Sequence, residues 1–148
     1  MVMERLKGHA VFSLLSPREI ERLSAASGVM HLKEGETVYT PGVVASHIFV
    51  LLKGRVELRR TAPGEAGFLV DDIVDGGMFG VSSLTGLERY ILKAECVKDS
   101  EVLKIEINAL RRILDDNPVV GYAIQQRISQ IFFKRYVNAM EMITAGVT

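Results

Sequence analysis

The residues best suited to chemistry lie in one stretch, 76–89, which reads GGMFGVSSLTGLER. Phe79-Gly80 is read as the end of a strand, and 81–84 as one helical turn that Gly86 terminates. A turn entered from a glycine exposes backbone N–H groups and the positive end of its dipole, which suits a phosphate or another anion. The backbone of Gly80, Val81, Ser82 and Ser83 would form the cradle, and Arg89 follows with a planar fork that can grip two oxygens at once. The same residue types also make a plain glycine-cornered turn with a solvated Arg, and a short Gly-rich motif alone does not separate the two.

No other group of residues has the spacing of a reactive centre. His9, His31 and His47 lie in separate segments, with no His-x-His pair and no Glu at ligand spacing. No Ser-His-Asp order stands out, and the single cysteine, Cys96, sits inside an alternating run as a small core residue. Neither an enzyme nor a metal site is expected. One cysteine also excludes an internal disulfide, a Cys-based zinc site and a multi-Cys iron–sulfur cluster. Lys and Arg total 18 and Asp and Glu total 18, so the net charge is zero and no basic stripe signals direct nucleic-acid binding. The longest strongly apolar run, 48–52, is far too short to span a bilayer, so no membrane is expected as a partner. One thiol and no signal peptide point to the cytoplasm.

The elements that must hold the cradle follow from periodicity. At 148 residues the chain fits one domain, 1–148. Residues 3–15 read as a short helical or irregular lead-in. Ser16-Pro17-Arg18-Glu19 is a capping box with Pro at the first helical position, and Gly28 is expected to end that helix. Over 29–107 short β-prone runs are punctuated by glycines: 29–32, 37–39, 48–52, 55–59, 68–74, 90–97 and 101–107. The run 48–52 is apolar on both faces, as in a strand buried between two layers. The turn 62–65 joins two of these strands. Seven or eight short strands at this spacing make a sandwich, jelly roll or barrel.

The period then switches to helix. Asn108 is expected to cap 109–115, and Asn117-Pro118 to break it and start a long helix, 119–143. That helix carries too many apolar residues for one core-facing stripe, and at ~1.5 Å rise per residue it outruns a domain of this size. It is therefore expected to pair with a second copy of the chain, with Ile124, Ile128, Ile131, Phe132, Tyr136 and Met140 as candidate contacts. The apolar content of 48% agrees with a buried partner surface. The alternative is a helix lying flat on the barrel.

In this order the parts resemble the cyclic-nucleotide-binding domain of the catabolite-activator and anaerobic-regulator transcription factors. The pieces that carry the resemblance are Phe12-Ser13-Leu14-Leu15, Leu32-Lys33-Glu34-Gly35-Glu36, Tyr39-Thr40-Pro41-Gly42, the run IFVLLKGRV at 48–56, Gly77-Met78-Phe79-Gly80 and Asn117-Pro118. The resemblance implies a mainly β fold: a double-stranded β-helix, or jelly-roll-like β-roll, with N-terminal helices and a long C-terminal dimerisation helix. It implies that 76–89 is the phosphate-binding cassette.

That family's cassette has Phe-Gly-Glu, then an Arg and a small hydroxyl residue, the Glu holding ribose and the Arg the cyclic phosphate. Here Phe79-Gly80 and Arg89 match, but Val81 replaces the Glu and Tyr90 the hydroxyl residue. On the long helix, Arg135-Tyr136 stands where cyclic-AMP binders place a Thr-Ser pair against adenine, so both are candidate pocket residues. The resemblance thus implies a small-molecule-sensing regulatory domain whose ligand is a cyclic nucleotide or another small anion, with cyclic AMP itself disfavoured. A decayed cassette in a pure dimerisation domain is the other reading. The family's regulators continue into a helix-turn-helix module, so the chain either senses alone or is the effector part of a longer regulator.

Overall fold

The computed structural model describes residues 1–61 and 67–147; the expected turn at 62–65 lies outside them. The lead-in forms α1 (Val2–Lys7) and a 3₁₀ turn at Phe12–Leu14. The next helix, α2 (Pro17–Ala25), starts as its sequence dictates. Ser16 Oγ accepts from Glu19 N–H at 3.2 Å, and the Glu19 carboxylate accepts from Ser16 N–H at 2.9 Å. Gly28 does not end this helix. It already belongs to β1 (Ser27–Leu32), because pairing with β8 (Ser100–Glu106) begins at Ser27↔Ile105 and draws the chain into extended form.

The remaining strands are β2 (Thr37–Tyr39), β3 (His47–Lys53), β4 (Val56–Arg60), β5 (Phe68–Ile73), β6 (Met78–Phe79) and β7 (Lys93–Cys96). They form two four-stranded antiparallel sheets in the orders β1-β8-β3-β6 and β2-β7-β4-β5. Period-2 geometry assigns the faces. In β3, Ile48, Val50 and Leu52 pack into the core under the helices, while Phe49 and Leu51 pack into the core between the sheets. This is the doubly buried strand read from 48–52, and the architecture is the expected β-roll with flanking helices. Cys96 lies in the inter-sheet core, 1% exposed.

Strand β8 runs directly into α3 (Ile107–Asp116), so Asn108 is not its cap. No side-chain cap bond is made there. The backbone of earlier segments replaces it, since Glu106 N–H donates to Ala26 O and Ile107 N–H to Ser46 O, each at 3.0 Å. The long helix α4 spans Pro118–Val147, 30 residues, or ~45 Å at ~1.5 Å per residue. Asn117 accepts at its backbone oxygen from Gly121 N–H at 2.8 Å, and its side chain donates to Glu19 Oε2 at 3.2 Å, tying the start of α4 to the cap of α2.

One stripe of α4, recurring every three or four residues, faces the chain's own core: Ile124 and Ile128 are buried at 0% and 3% exposure. Ile131 and Phe132 pack against the same core. Ile124 and Ile128 are therefore not dimer contacts, because the helix spends them on its own β-roll. The face left in solvent carries Phe133, Tyr136, Met140 and Ile143, spaced three, four and three residues apart. That is the spacing of a coiled-coil seam, and the stripe includes two of the expected contacts, Tyr136 and Met140.

Candidate ligand site

The 76–89 stretch folds as its glycines require. Gly80 turns the chain out of β6 with φ +70°, and an added Cβ there would meet Phe49 Cδ2 at 2.8 Å and Tyr39 Cε2 at 3.1 Å. A 3₁₀ turn follows at Ser82–Thr85 and ends on Gly86 in the left-handed region at φ +89°. The expected turn and its terminator are both present.

This turn lines a cavity of about 280 Å³. Its floor comes from the inter-sheet core, with Leu58 and the stacked rings of Tyr39 and Tyr90, whose centroids are 3.9 Å apart. Gly80, Val81, Ser82 and Thr85 form one wall, and Phe132 and Arg135 of α4 close it from above. Leu87 and Ile91 stand at its mouth, 47% and 63% exposed.

The candidate ligands divide. Arg89 does not join the cradle. It is exposed, does not line the cavity, and donates from its guanidinium to Gly42 O at 2.8 Å, because it forms a β-bridge with Val44 that directs it outward. Phe79 is fully buried behind the site, its ring 5.3 Å from Phe49. Val81 is 3% exposed, and its side chain offers no polar atom. The Tyr90 ring lines the cavity, but its hydroxyl is committed to β3, donating to His47 O at 2.6 Å and accepting from His47 N–H at 3.3 Å. Burial raises the pKa of this phenol, and the bond to His47 opposes the shift. Burial raises Tyr39 more strongly. Tyr136 is not a pocket residue: it is 59% exposed and packs beside Phe133 on the outer face of α4.

Two serine hydroxyls, on Ser82 and Ser83, are buried and have no hydrogen-bond partner among the described residues. Ser82 lines the cavity. Ser83 lies deeper, and its carbonyl accepts from Arg111 of α3. The cation over the cavity is Arg135. Its Nε lies 2.6 Å from Asp71 Oδ2 on β5, with the two side chains 17% and 19% exposed, and it also donates to Met78 O. Burial lowers the Arg135 pKa, and Asp71 and Tyr39 counter that.

Sequence reasoning did not find Asp71, although the signal was present. Asp71 and Ile73 share a face of β5, and Ile73 is 3% exposed, so period 2 places an acid on the core side. An acid there needs a cation.

The histidines stay apart. His9 donates from Nε2 to Gly76 O at 2.9 Å and accepts at Nδ1 from Val11 N–H at 3.1 Å, beside a separate cavity of about 230 Å³ under α1. His31 lies 3.8 Å from Glu101, and His47 bonds Ser46. Among the described residues no three His, Cys, Asp or Glu side chains gather around a common point, and no helix is long and apolar enough to cross a membrane.

Comparison with known proteins agrees with this architecture. Residues 29–117 match the family model of the cyclic nucleotide-binding domain. The chain is 20% identical over 144 residues to a CRP-like cAMP-activated global transcriptional regulator of Mycobacterium tuberculosis, covering 97% of this chain and 64% of that one. It thus spans just under two thirds of that relative. Its fold is similar to the sensor domain of the transcriptional regulator DNR from Pseudomonas aeruginosa, with TM-score 0.79, 24% identity and 90% of each chain covered. It is also similar to the regulatory subunit of a cAMP-independent protein kinase A from Trypanosoma cruzi bound to guanosine, with TM-score 0.75, 17% identity and coverage of 97% and 50%.

Proposed function

Because this chain belongs to the cyclic nucleotide-binding domain family, we propose that its 148 residues form one small-molecule-sensing regulatory domain in which cyclic AMP binds weakly or not at all. The sensor site is the cavity between the 80–92 stretch and α4. The observation that carries this reading is the dispersal of the expected nucleotide ligands. Val81 offers no acceptor to a ribose hydroxyl, Arg89 is held outside by Gly42, and the cation over the cavity is Arg135, already paired with Asp71. A hydrogen bond to a charged group contributes ~1.5–3 kcal/mol, so loss of one such contact weakens binding by roughly 10- to 100-fold. Calorimetry with cyclic AMP and cyclic GMP tests it: no micromolar binding is expected, and micromolar binding of either overturns it.

The domain acts as a homodimer in the cytoplasm, through the outer seam of α4. The exposed Phe133, Tyr136, Met140 and Ile143 support this, since a protruding apolar stripe favours a partner. By analogy with the Mycobacterium tuberculosis relative, the domain would serve as the effector part of a DNA-binding regulator, without contacting nucleic acid itself. A second reading, a ligand-free dimerisation domain, is favoured by one observation: the Tyr39, Tyr90, Phe49 and Phe79 rings already fill the roll behind the cavity. Thermal shift separates the two, since a site filled at 100 times its dissociation constant adds ~2.7 kcal/mol to folding.

A further inference from the structure

We propose that Asp71 is a built-in counter-anion that reserves the cavity for uncharged ligands. This rests on the reading of that cavity as the sensor site. Arg135 is the single cationic side chain among the described residues lining it. Its Nε is held 2.6 Å from Asp71 Oδ2, and a further N–H is taken by Met78 O. Its charge and two of its five donors are therefore occupied before any ligand arrives. An incoming anion would have to displace Asp71, leaving that carboxylate partly buried without its cation, or share Arg135 with it as a second negative charge at short range. Both arrangements disfavour the anion.

The placement of Asp71 is built into the fold. It pairs in register with Leu58, which lines the cavity, and it shares a face with the buried Ile73. The neighbouring Asp72 points the other way and binds Arg55, so only one of the two acids serves the site. The rest of the wall is largely apolar, with Leu58, Val81, Leu92 and Phe132. The ligand that suits this wall is an uncharged, mostly apolar molecule.

The test compares the wild type, Arg135→Gln, Asp71→Asn and the Asp71→Asn/Arg135→Gln double variant. Inorganic phosphate is the probe, titrated at constant ionic strength with the melting temperature as readout. The wild type, Arg135→Gln and the double variant should share one small, non-specific response. Asp71→Asn should reach half-saturation at a phosphate concentration at least tenfold lower. A wild-type response that Arg135→Gln abolishes would overturn the proposal, as would an Asp71→Asn titration that superimposes on the wild type. Should Asp71→Asn not fold, Asp71→Ser makes the same comparison, and the wild-type and Arg135→Gln pair still decides whether Arg135 is masked. Failure of the sensor reading looks different: neutral metabolites leave every variant unmoved while Asp71→Asn still gains phosphate.

Discussion

Replacing Gly80 by Ala isolates what holds the cassette against the roll. Two costs act there. The left-handed backbone, φ +70°, disfavours any L side chain by roughly 1–2 kcal/mol. The new Cβ would also lie 2.8 Å from Phe49 Cδ2 and 3.1 Å from Tyr39 Cε2, atoms of rings that pack in the inter-sheet core and cannot swing aside. Overpacking of this kind costs about 1–3 kcal/mol. The sum, about 2–5 kcal/mol, is a large fraction of an ordinary stability of ~5–15 kcal/mol. It corresponds to a fall in melting temperature of about 4–20 °C for a chain of this size. Gly86→Ala is the internal control. Its φ is +89°, but nothing lies within 4 Å of an added Cβ, so it bears the backbone cost alone. Urea unfolding of both variants, fitted with a common slope, gives the difference. The reasoning is refuted if Gly80→Ala loses no more stability than Gly86→Ala, for then Phe49 and Tyr39 do not clamp the glycine.

Other outcomes follow from the same geometry. Tyr90→Phe leaves His47 N–H and O without the phenol and should cost about 1–3 kcal/mol in urea unfolding, with the ring stack on Tyr39 preserved. His9 is held neutral by burial, which lowers its folded pKa below the ordinary 6.5. The unfolded chain therefore binds more protons just below pH 6.5, and stability should fall as pH drops through that value toward the folded pKa. His47 shifts the same way, so His9→Gln should reduce this slope in a urea series from pH 8 to 5 without abolishing it. Ile128→Glu, at a position 3% exposed, should unfold the chain, whereas Tyr136→Glu, at 59%, should leave circular dichroism intact and halve the mass seen by light scattering.

The legible parts of the fold were those in which local chemistry and period agree. The capping box at Ser16 and Glu19, the doubly apolar 48–52 run and the Gly86 terminator each satisfy their own backbone or faces within a few residues. The misread boundaries, Gly28 and Asn108, lie where backbone distant in sequence, strand β8 for Gly28 and Ala26 and Ser46 for the start of α3, supplies hydrogen bonds that local signals do not register. Arg89 was assigned to the cradle on spacing, but spacing cannot register its bridge to Val44, some forty-five residues earlier.

The long helix contained more information than its apolar count used. Ile124, Ile128, Ile131 and Arg135 recur at intervals of four, three and four, one stripe of an α-helix. Phe133, Tyr136, Met140 and Ile143 recur at three, four and three on another stripe. Two interleaved stripes cannot both face the same core, so one serves the roll and the other is left for a partner. The stripe that ends in a charge is the informative one. A guanidinium continuing a buried row must meet a carboxylate, and the acid that period 2 turns inward is Asp71. Helix and strand periodicities, taken together, bring these two residues together beside the cavity, which Arg135 lines.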